Sequence, residues 1–398
     1  MTTNSERNAV TVAALFAFLL GLAACMSKNQ ALQTLGGCTN DCQNNEFLYA
    51  TSPDHISAFL IDQSTGALRA PLAMSGPNQS IGMVGSVTLG HLYVSDFLND
   101  ALDGFTINST SGGLTPVTDS PSPVGNTPPG AGGVSSVLSG NFYIYATDLN
   151  ASTVVGFTFD SASGKITPVP GSPFPAGNTP VQAARDYLGK FLYVSNLNDS
   201  SGGISAYTID QNTGALSPIP GSPFPTGSLG SYPGPSAMVS NGNFLYVALA
   251  GTANANNKIV AFAIDPTSGT LTTLPGSPFV TGSDPLYMAI VPVTLGPRAF
   301  LYAANVQEGT ISAFTADDVT GALTPINRSP YASGTSVGGL ATSVTFTNSG
   351  SYFLYASDPQ ANTITAYTLD GHTGALSPVA GSPFTAGNSP GLLTVVLP

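Results

Sequence analysis

Charged side chains are scarce in this chain of 398 residues. Asp, Glu, Lys and Arg make up only 8% of it, against roughly 25% of a typical soluble protein. The nine Lys and Arg residues are scattered along the sequence, and the net charge is −12. A nucleic-acid-binding surface needs clustered basic side chains that displace counterions. Nucleic acid is therefore not expected as a partner.

Cysteine and histidine are also rare, with three residues of each. Cys38 and Cys42 lie close together in a polar segment that contains no histidine. Two thiols do not complete the tetrahedral ligand set that zinc requires, so we expect neither a metal site nor another cofactor. In an oxidising compartment two neighbouring cysteines can pair, and we predict a Cys38–Cys42 disulfide.

Residues 1–24 are predicted to be a lipoprotein signal peptide. An uncharged apolar run of 16 residues extends from Ala9 to Ala24. It is shorter than the roughly 20 residues of a membrane-spanning helix and has the length of a signal h-region. The run ends in Leu22-Ala-Ala-Cys25, which resembles the lipobox of bacterial lipoproteins, where cleavage leaves the cysteine as a lipid-modified N-terminus.

The lipobox resemblance implies a protein outside the cytoplasm, in the periplasm or at the cell surface. Lipid on Cys25 would hold it to a bacterial membrane through a polar tether over residues 25–45. An uncleaved membrane anchor, or cleavage at another position, is the alternative interpretation.

A long repeat fills the rest of the chain. The motif Phe-Leu-Tyr-Val/Ala returns with a mean period of 51 residues, and a second short strand, a turn and a third strand follow it. Its tyrosines are Tyr49, Tyr93, Tyr145, Tyr193, Tyr246, Tyr302 and Tyr355. A fixed period with several short strands per unit is typical of a β-propeller. We predict an all-β fold, a seven-bladed β-propeller over residues 46–398.

Blade four shows most clearly that each blade has four strands. We predict an inner strand at Val181–Arg185, strands at Phe191–Ser195 and Ile204–Asp210, and an outermost strand at Ala215–Pro220. Prolines recur in the outermost strand of several blades, which fits a sheet edge, where a missing N–H costs little.

Blade one has no inner strand before Glu46. The last residues, 390–398, align with the inner strands of other repeats. We therefore expect the C-terminal strand to complete blade one and close the ring.

Two further repeated motifs are predicted to be structural. Asp-x-x-Ser/Thr-Gly, as at Asp210, lacks the alternating carboxylates and closing glutamate of a calcium loop. An Asx turn with glycine at positive φ explains it better. Gly-Ser-Pro-Phe, as at Phe174, is predicted to pack its aromatic ring between blades where the chain crosses to the next one.

The blade sequences resemble those of the seven-bladed lactonase family. Phe191-Leu-Tyr-Val-Ser-Asn196 and Ile204-Ser-Ala-Tyr-Thr-Ile-Asp210 carry this resemblance, and it extends over residues 46–398. The family includes propeller-type 6-phosphogluconolactonases and carboxymuconate cyclases. The resemblance implies that a small lactone is hydrolysed by histidine, arginine and acidic side chains at one end of the central channel.

Few residues of this chain match such a catalytic set. The candidates are Arg185 on the inner strand of blade four, Asp284 just before the inner strand of blade six, and His55 at the start of the third strand of blade one. Lactone opening needs a base that activates water and a cation or donor for the oxyanion. The alternative for Arg185 is a strand end that reaches solvent.

Asp or Asn ends the second strand of five blades. These residues are Asp96, Asp148, Asn196, Asn305 and Asp358. With Asp100 and Asp103 they are predicted to form a ring at the channel mouth that binds a cation or a polyhydroxylated ligand. The alternative is that Asp and Asn simply begin the loop after the strand.

Two functions remain open from the sequence. The first is a lipid-anchored, monomeric propeller of the cell envelope that binds a protein or a glycan and is not an enzyme. The second is an exported lactonase, a carboxylic ester hydrolase acting on an extracytoplasmic sugar or aliphatic lactone. The sequence favours the first.

Overall fold

The computed structural model describes residues 45–77, 79–85, 90–125, 131–139, 141–186, 188–198, 203–227, 235–250, 257–292, 298–343 and 352–398. The predicted signal peptide, nearly all of the tether, and Cys25, Cys38 and Cys42 lie outside these residues. The lipid anchor and the disulfide therefore stay predictions.

The described chain forms seven antiparallel sheets, one for each repeat. Each contains four strands paired in the order inner, second, third and outer, as in the sheet of Pro180–Arg185, Phe191–Asn196, Gly203–Ile209 and Leu216–Pro218. Every residue of the second strand of blade four is buried, because a blade packs against neighbours on both faces. The prediction of a seven-bladed propeller with four-stranded blades is confirmed, and the strand bounds of blade four differ from those predicted by at most two residues.

The strands of the four positions have the following bounds. The inner strands of blades two to seven are Met83–Gly85, Ala131–Ser139, Pro180–Arg185, Pro235–Ser240, Pro285–Pro292 and Gly339–Thr342. The second strands are Phe47–Thr51, His91–Asp96, Asn141–Asp148, Phe191–Asn196, Phe244–Leu249, Arg298–Asn305 and Tyr352–Asp358. The third strands are His55–Leu60, Ala101–Ile107, Thr153–Phe159, Gly203–Ile209, Lys258–Ile264, Thr310–Asp317 and Thr363–Leu369. The outer strands are Leu72–Ser75, Leu114–Pro116, Ile166–Pro168, Leu216–Pro218, Leu271–Thr273, Leu323–Pro325 and Leu376–Pro378.

Leu393–Val396 is the inner strand of blade one. It pairs antiparallel with the second strand, with Leu393 opposite Ala50 and Val396 opposite Phe47. The Gly391 N–H donates to the Thr51 carbonyl over 2.7 Å just beyond this pairing. The predicted closure of the ring by the C-terminal strand is confirmed.

Blades two to seven also contain a fifth strand of two residues, which the sequence prediction missed. These strands are Ser122–Pro123, Phe174–Pro175, Phe224–Pro225, Phe279–Val280, Tyr331–Ala332 and Phe384–Thr385. Each pairs with the first part of the third strand, so that Phe174 lies opposite Val154. Phe174 is also buried among side chains of blades three and four. The predicted packing of this aromatic between blades is confirmed, and the added strand pairing explains its regular spacing.

The hydrophobic core is divided among the blade interfaces. Within the described residues, buried apolar side chains form seven clusters, and each draws on two neighbouring blades. One of them joins Phe353 of blade seven to Phe59 of blade one, where both side chains are buried. The core is therefore a closed ring around the central channel.

The motif tyrosines add a hydrogen bond at every interface. Each hydroxyl donates to the glycine carbonyl of the Asp-x-x-Ser/Thr-Gly or Asn-x-x-x-Gly turn in the next blade, over 2.7 to 3.1 Å in six of the seven. The pairs are Tyr49–Gly112, Tyr93–Gly164, Tyr145–Gly214, Tyr193–Gly269, Tyr246–Gly321, Tyr302–Gly374 and Tyr355–Gly66. The last pair returns from blade seven to blade one.

The turns themselves are Asx turns. In blade four, Asp210 Oδ1 accepts the N–H groups of Asn212 and Thr213, both over 2.9 Å, and Gly214 has a φ of 75°. These N–H groups lower the pKa of the Asp210 carboxyl. The structural interpretation of this motif is confirmed.

Candidate functional site

The polar residues that end the second strands lie at one end of the propeller. We call this end the loop face and define it by the described loops after the second strands, residues 52–54, 97–100, 149–152, 197–198, 306–309 and 359–362. Inner strands begin at the same face, because they run antiparallel to the second strands. The opposite end, which carries the Asx turns, is the turn face.

The five predicted ligand-binding residues lie beneath these loops. Asp96 is 5% exposed, and Asp148, Asn196, Asn305 and Asp358 are each exposed by 1% or less. Their side chains form hydrogen bonds with N–H groups of loops at this face and so hold the loops together.

The two asparagines make the same set of hydrogen bonds. Asn196 Oδ1 accepts the Gly177 N–H over 3.1 Å, and its amide donates to Ser205 Oγ over 2.9 Å. Asn305 forms the equivalent bonds with Gly282 and Ser312, at 3.1 and 2.9 Å. Each glycine lies in the loop that brings the chain from the preceding blade to the inner strand. Each asparagine therefore ties two loops of the loop face together.

The carboxylate of Asp358 caps loops in a similar way. Oδ1 accepts the N–H groups of Gln360 and Ala361 over 3.0 and 2.9 Å, and Oδ2 accepts the Thr335 N–H over 2.6 Å. Burial acts to raise the pKa of this carboxyl, but the N–H and hydroxyl donors outweigh burial and lower it. Asp148 Oδ1 accepts N–H groups in its own loop over 3.1 and 2.9 Å. The structure thus gives these five residues a role in loop architecture, and their ligand-binding role stays a prediction.

Blade two carries a second carboxyl beside the first. Asp103 lies opposite Val94, as Ser205 lies opposite Val194 in blade four, so Asp103 occupies the position of that serine. Burial raises the pKa of Asp103 to about 6, and the charge of Asp96 adds to the effect. The shift was not visible in the sequence, since it depends on how deeply the third strand is covered.

Two more carboxyls approach each other at the junction of blades two and three. A Cβ placed on Gly125 would overlap carboxyl oxygens of both Asp100 and Asp148. Asp100 and Asp148 are each 1% exposed. Blade two and its junction with blade three thus contain four carboxyls, Asp96, Asp100, Asp103 and Asp148.

Arg185 lies at the turn face, at the end of the inner strand of blade four. Its guanidinium donates from Nη1 to the Asp186 carbonyl over 3.1 Å. Gln182, earlier on the same strand, accepts the Met238 N–H of blade five through Oε1 over 2.6 Å. Gln182 thus connects two inner strands.

The other two catalytic candidates lie at the loop face in different blades. Asp284 precedes the inner strand of blade six with a φ of 61°, and its N–H donates to Asn257 Oδ1 over 3.1 Å. His55 begins the third strand of blade one and pairs through Nδ1 with Asp54 Oδ1 at 2.7 Å. Arg185 is at the opposite end of the channel. The structure therefore does not bring the three together, and their catalytic roles stay predictions.

The described residues contain neither a metal-binding cluster nor a membrane-spanning helix. Within them, no group of three or more His, Cys, Asp or Glu side chains is arranged to hold a metal ion. None of the described segments is a helix with the length and apolarity to cross a membrane.

A closed ring of seven four-stranded blades, with polar loops collected at one end of its axis, defines the class of this protein as a seven-bladed β-propeller. The family model described as "Lactonase, 7-bladed beta-propeller" matches residues 42–338, and the chain belongs to this family. No curated protein matches the sequence at a significant level.

Solved structures of related folds cover nearly the whole chain. A proposed 6-phosphogluconolactonase from Bacteroides uniformis has a TM-score of 0.66 at 19% identity, over 89% of this chain and 100% of that one. A periplasmic gluconolactonase from Pseudomonas aeruginosa has a TM-score of 0.65 at 16% identity, over 89% of this chain and 99% of that one. At these identities the likeness shows a shared fold.

Proposed function

We propose that this lactonase-family propeller is exported, is held to a bacterial membrane through lipid on Cys25, and binds a polyhydroxylated ligand of the cell envelope at its loop face. The observation that carries the proposal is the construction of that face. Asn196, Asn305 and Asp358 each fix two loops by buried hydrogen bonds. Loops that are ordered before binding lose less conformational entropy when a ligand arrives.

The negative charge of the chain disfavours anionic ligands. A net charge of −12 repels anions, since the field of the whole protein acts on an approaching ligand. An uncharged glycan or sugar lactone is therefore favoured over a phosphorylated sugar.

Calorimetric titration with neutral oligosaccharides of envelope glycans tests the binding function. Asp284→Asn alters a half-buried residue at the loop face, and Asp210→Asn alters an exposed residue at the turn face as the control. We expect binding that Asp284→Asn weakens and Asp210→Asn leaves unchanged. Absence of binding by the folded protein, or equal loss in both variants, would contradict the proposal.

Lactone hydrolysis is the second candidate function. Membership of the lactonase family supports it, and one structural neighbour is named as a periplasmic gluconolactonase, which agrees with export. The test is base uptake in a pH-stat with neutral sugar lactones, aliphatic lactones and a phosphorylated lactone. Turnover of a neutral lactone above the uncatalysed rate, lost in His55→Ala or Asp284→Asn, supports an enzyme. Turnover that survives both substitutions assigns the chemistry to other residues.

Anchoring is tested separately from ligand binding. The wild-type chain should fractionate with membranes and incorporate labelled fatty acid, because lipoproteins carry more than one acyl chain and a single chain binds only weakly. Cys25→Ala should appear in the soluble fraction without label. Equal membrane association of both chains would contradict a lipid anchor on Cys25.

A further inference from the structure

In blades four and six, hydrogen bonds join the incoming loop to the blade that it enters. In blade four, Asn196, Ser205 and the Gly177 N–H close this junction with hydrogen bonds of 2.9 to 3.1 Å. Blade six repeats the arrangement with Asn305, Ser312 and Gly282. Amide, hydroxyl and N–H groups form these bonds at any ordinary pH, because none of them titrates there.

Blade two differs at all three positions. Asp96 replaces the asparagine and Asp103 replaces the serine. Gly82 N–H donates to Ser95 Oγ as Gln182 N–H donates to Ser195 Oγ, and this register places Pro77 where blade four has Gly177.

Pro77 is buried and, as a proline, has no N–H to donate. The junction of blade two has therefore lost a backbone donor and gained two acidic side chains. The two changes act in the same direction, since each removes a hydrogen from a place where blades four and six have one.

The two carboxyls differ in their surroundings. Asp96 is held by Asn99, whose N–H donates to Oδ1 over 3.0 Å and whose amide donates to Oδ2 over 2.6 Å. Asp103 Oδ2 is a buried atom that no described group hydrogen-bonds. Neither carboxyl forms an ion pair with a described basic residue.

The other charged groups nearby have the same sign. Asp100 lies in the loop that follows Asp96, and Asp148 ends the second strand of blade three, with both carboxyls directed at Gly125. The loop from blade one contributes Pro77, which carries no charge. Two ionised carboxylates in such surroundings repel each other, whereas a proton on one of them lets it donate to the other.

We propose that Asp96 and Asp103 form a proton-dependent latch that closes the junction of blade two when Asp103 is protonated and loosens it when Asp103 is ionised. The proton takes the place of the hydrogens that asparagine, serine and glycine supply in blades four and six. The loop face of this propeller thus responds to pH, and the response arises in blade two.

The direction of the response follows from the shift of Asp103. Its pKa is about 6 in the folded chain against the ordinary 3.8, so the folded state binds the proton more tightly than the unfolded state. The contribution to stability is present at pH 4 and is lost as the pH rises to about 6. Above pH 6 the Asp103 carboxyl is ionised and the junction opens more often.

Hydrogen exchange of the full chain from pH 4.5 to 7.5 tests the latch. The amides of Gly82 and Ser95 report on blade two, and those of Gln182 and Ser195 report on the equivalent positions of blade four. Taking the ratio of their protection factors cancels global unfolding and the chemical pH dependence of exchange. We expect the ratio of blade two to blade four to fall roughly tenfold or more between pH 4.5 and about 6, and to change little at higher pH.

The variant Asp96→Asn/Asp103→Ser places the blade four pair in blade two. It should make the ratio independent of pH, while Asp54→Ser, which removes an exposed carboxyl from the same face, should leave the wild-type dependence intact. If the double variant does not fold, Asp103→Asn serves in its place.

Three results would overturn the proposal. They are a ratio that does not change with pH in the wild type, an unchanged pH dependence in the double variant, and loss of the dependence on adding calcium. The last result would show that Asp96 and Asp103 bind a cation.

Discussion

The hydroxyl of Tyr355 donates to the carbonyl of Gly66 over 3.1 Å, across 289 residues of sequence. This bond joins the last blade to the first, and six others repeat it around the ring. In each case a buried tyrosine satisfies a turn carbonyl of the next blade. The tyrosine of the repeat is therefore an interface residue. It recurs once per blade because each blade forms one such interface with the next.

Tyr355→Phe should destabilise the propeller by about 1–3 kcal/mol, because the buried Gly66 carbonyl loses its donor. Urea unfolding followed by circular dichroism measures this loss. Tyr331→Phe is the control, since that hydroxyl donates to the Asn327 carbonyl at an exposed site and its removal should change stability little. An equal effect of both substitutions would contradict the assignment of Tyr355 to ring closure.

Gly66→Ala should be more costly than an ordinary glycine substitution. Gly66 has a φ of 76°, and a Cβ there would overlap the ring of Phe353. The conformation costs about 1–2 kcal/mol, and the overlap adds about 1–3 kcal/mol.

Gly276→Ala isolates the first of these costs, because Gly276 has a φ of 82° and nothing within 4 Å of the added Cβ. A free energy of unfolding that falls equally in both variants would show that Phe353 does not close over the turn. The measurement is again equilibrium unfolding in urea.

His91→Phe should make the protein more resistant to acid. His91 is 3% exposed and packs edge-on against Phe159, at a position where other blades have Phe or Tyr. Burial lowers the pKa of His91. The folded state therefore prefers the neutral ring, and its stability falls as the pH drops below about 6.5, the ordinary value for histidine.

Melting temperatures at pH 5 and pH 7.5 test this prediction. The difference between His91→Phe and wild type should be larger at pH 5. His372→Gln removes an exposed histidine and should leave the pH dependence of wild type unchanged. A constant difference across this pH range would mean that His91 does not titrate within the interface.

Deletion of residues 391–398 should abolish cooperative folding of the ring. It removes the strand Leu393–Val396 that pairs with Phe47–Thr51, and it exposes the core shared by blades seven and one. Deletion of residues 397–398 alone leaves that strand intact and should give a native unfolding curve. A native curve for the longer deletion would show that pairing in blade one is dispensable.

The sequence predicted the fold well because each blade repeats the same local signals. Phe191-Leu-Tyr-Val, the glycine of the Asx turn and the missing inner strand before Glu46 are all visible in the chain. The fifth strand was missed, because a pair such as Phe174–Pro175 is too short to show strand periodicity.

The candidate site was predicted less well. The sequence placed Asp358 and Asn305 on the loop face but could not show that they are buried under loops from the preceding blade. It also could not show that Asp103 shares a position with Ser205, since that equivalence depends on strand register. Burial and cross-strand neighbours decide the pKa of a carboxyl, and both depend on the tertiary structure.

The pairing of Leu393–Val396 with Phe47–Thr51 limits when the ring can close during synthesis of the protein. The first blade is made early in translation but lacks its inner strand until residue 396 has been added, so the ring cannot close on the ribosome while synthesis continues. The strand Leu393–Val396 thus decides when the ring can be completed.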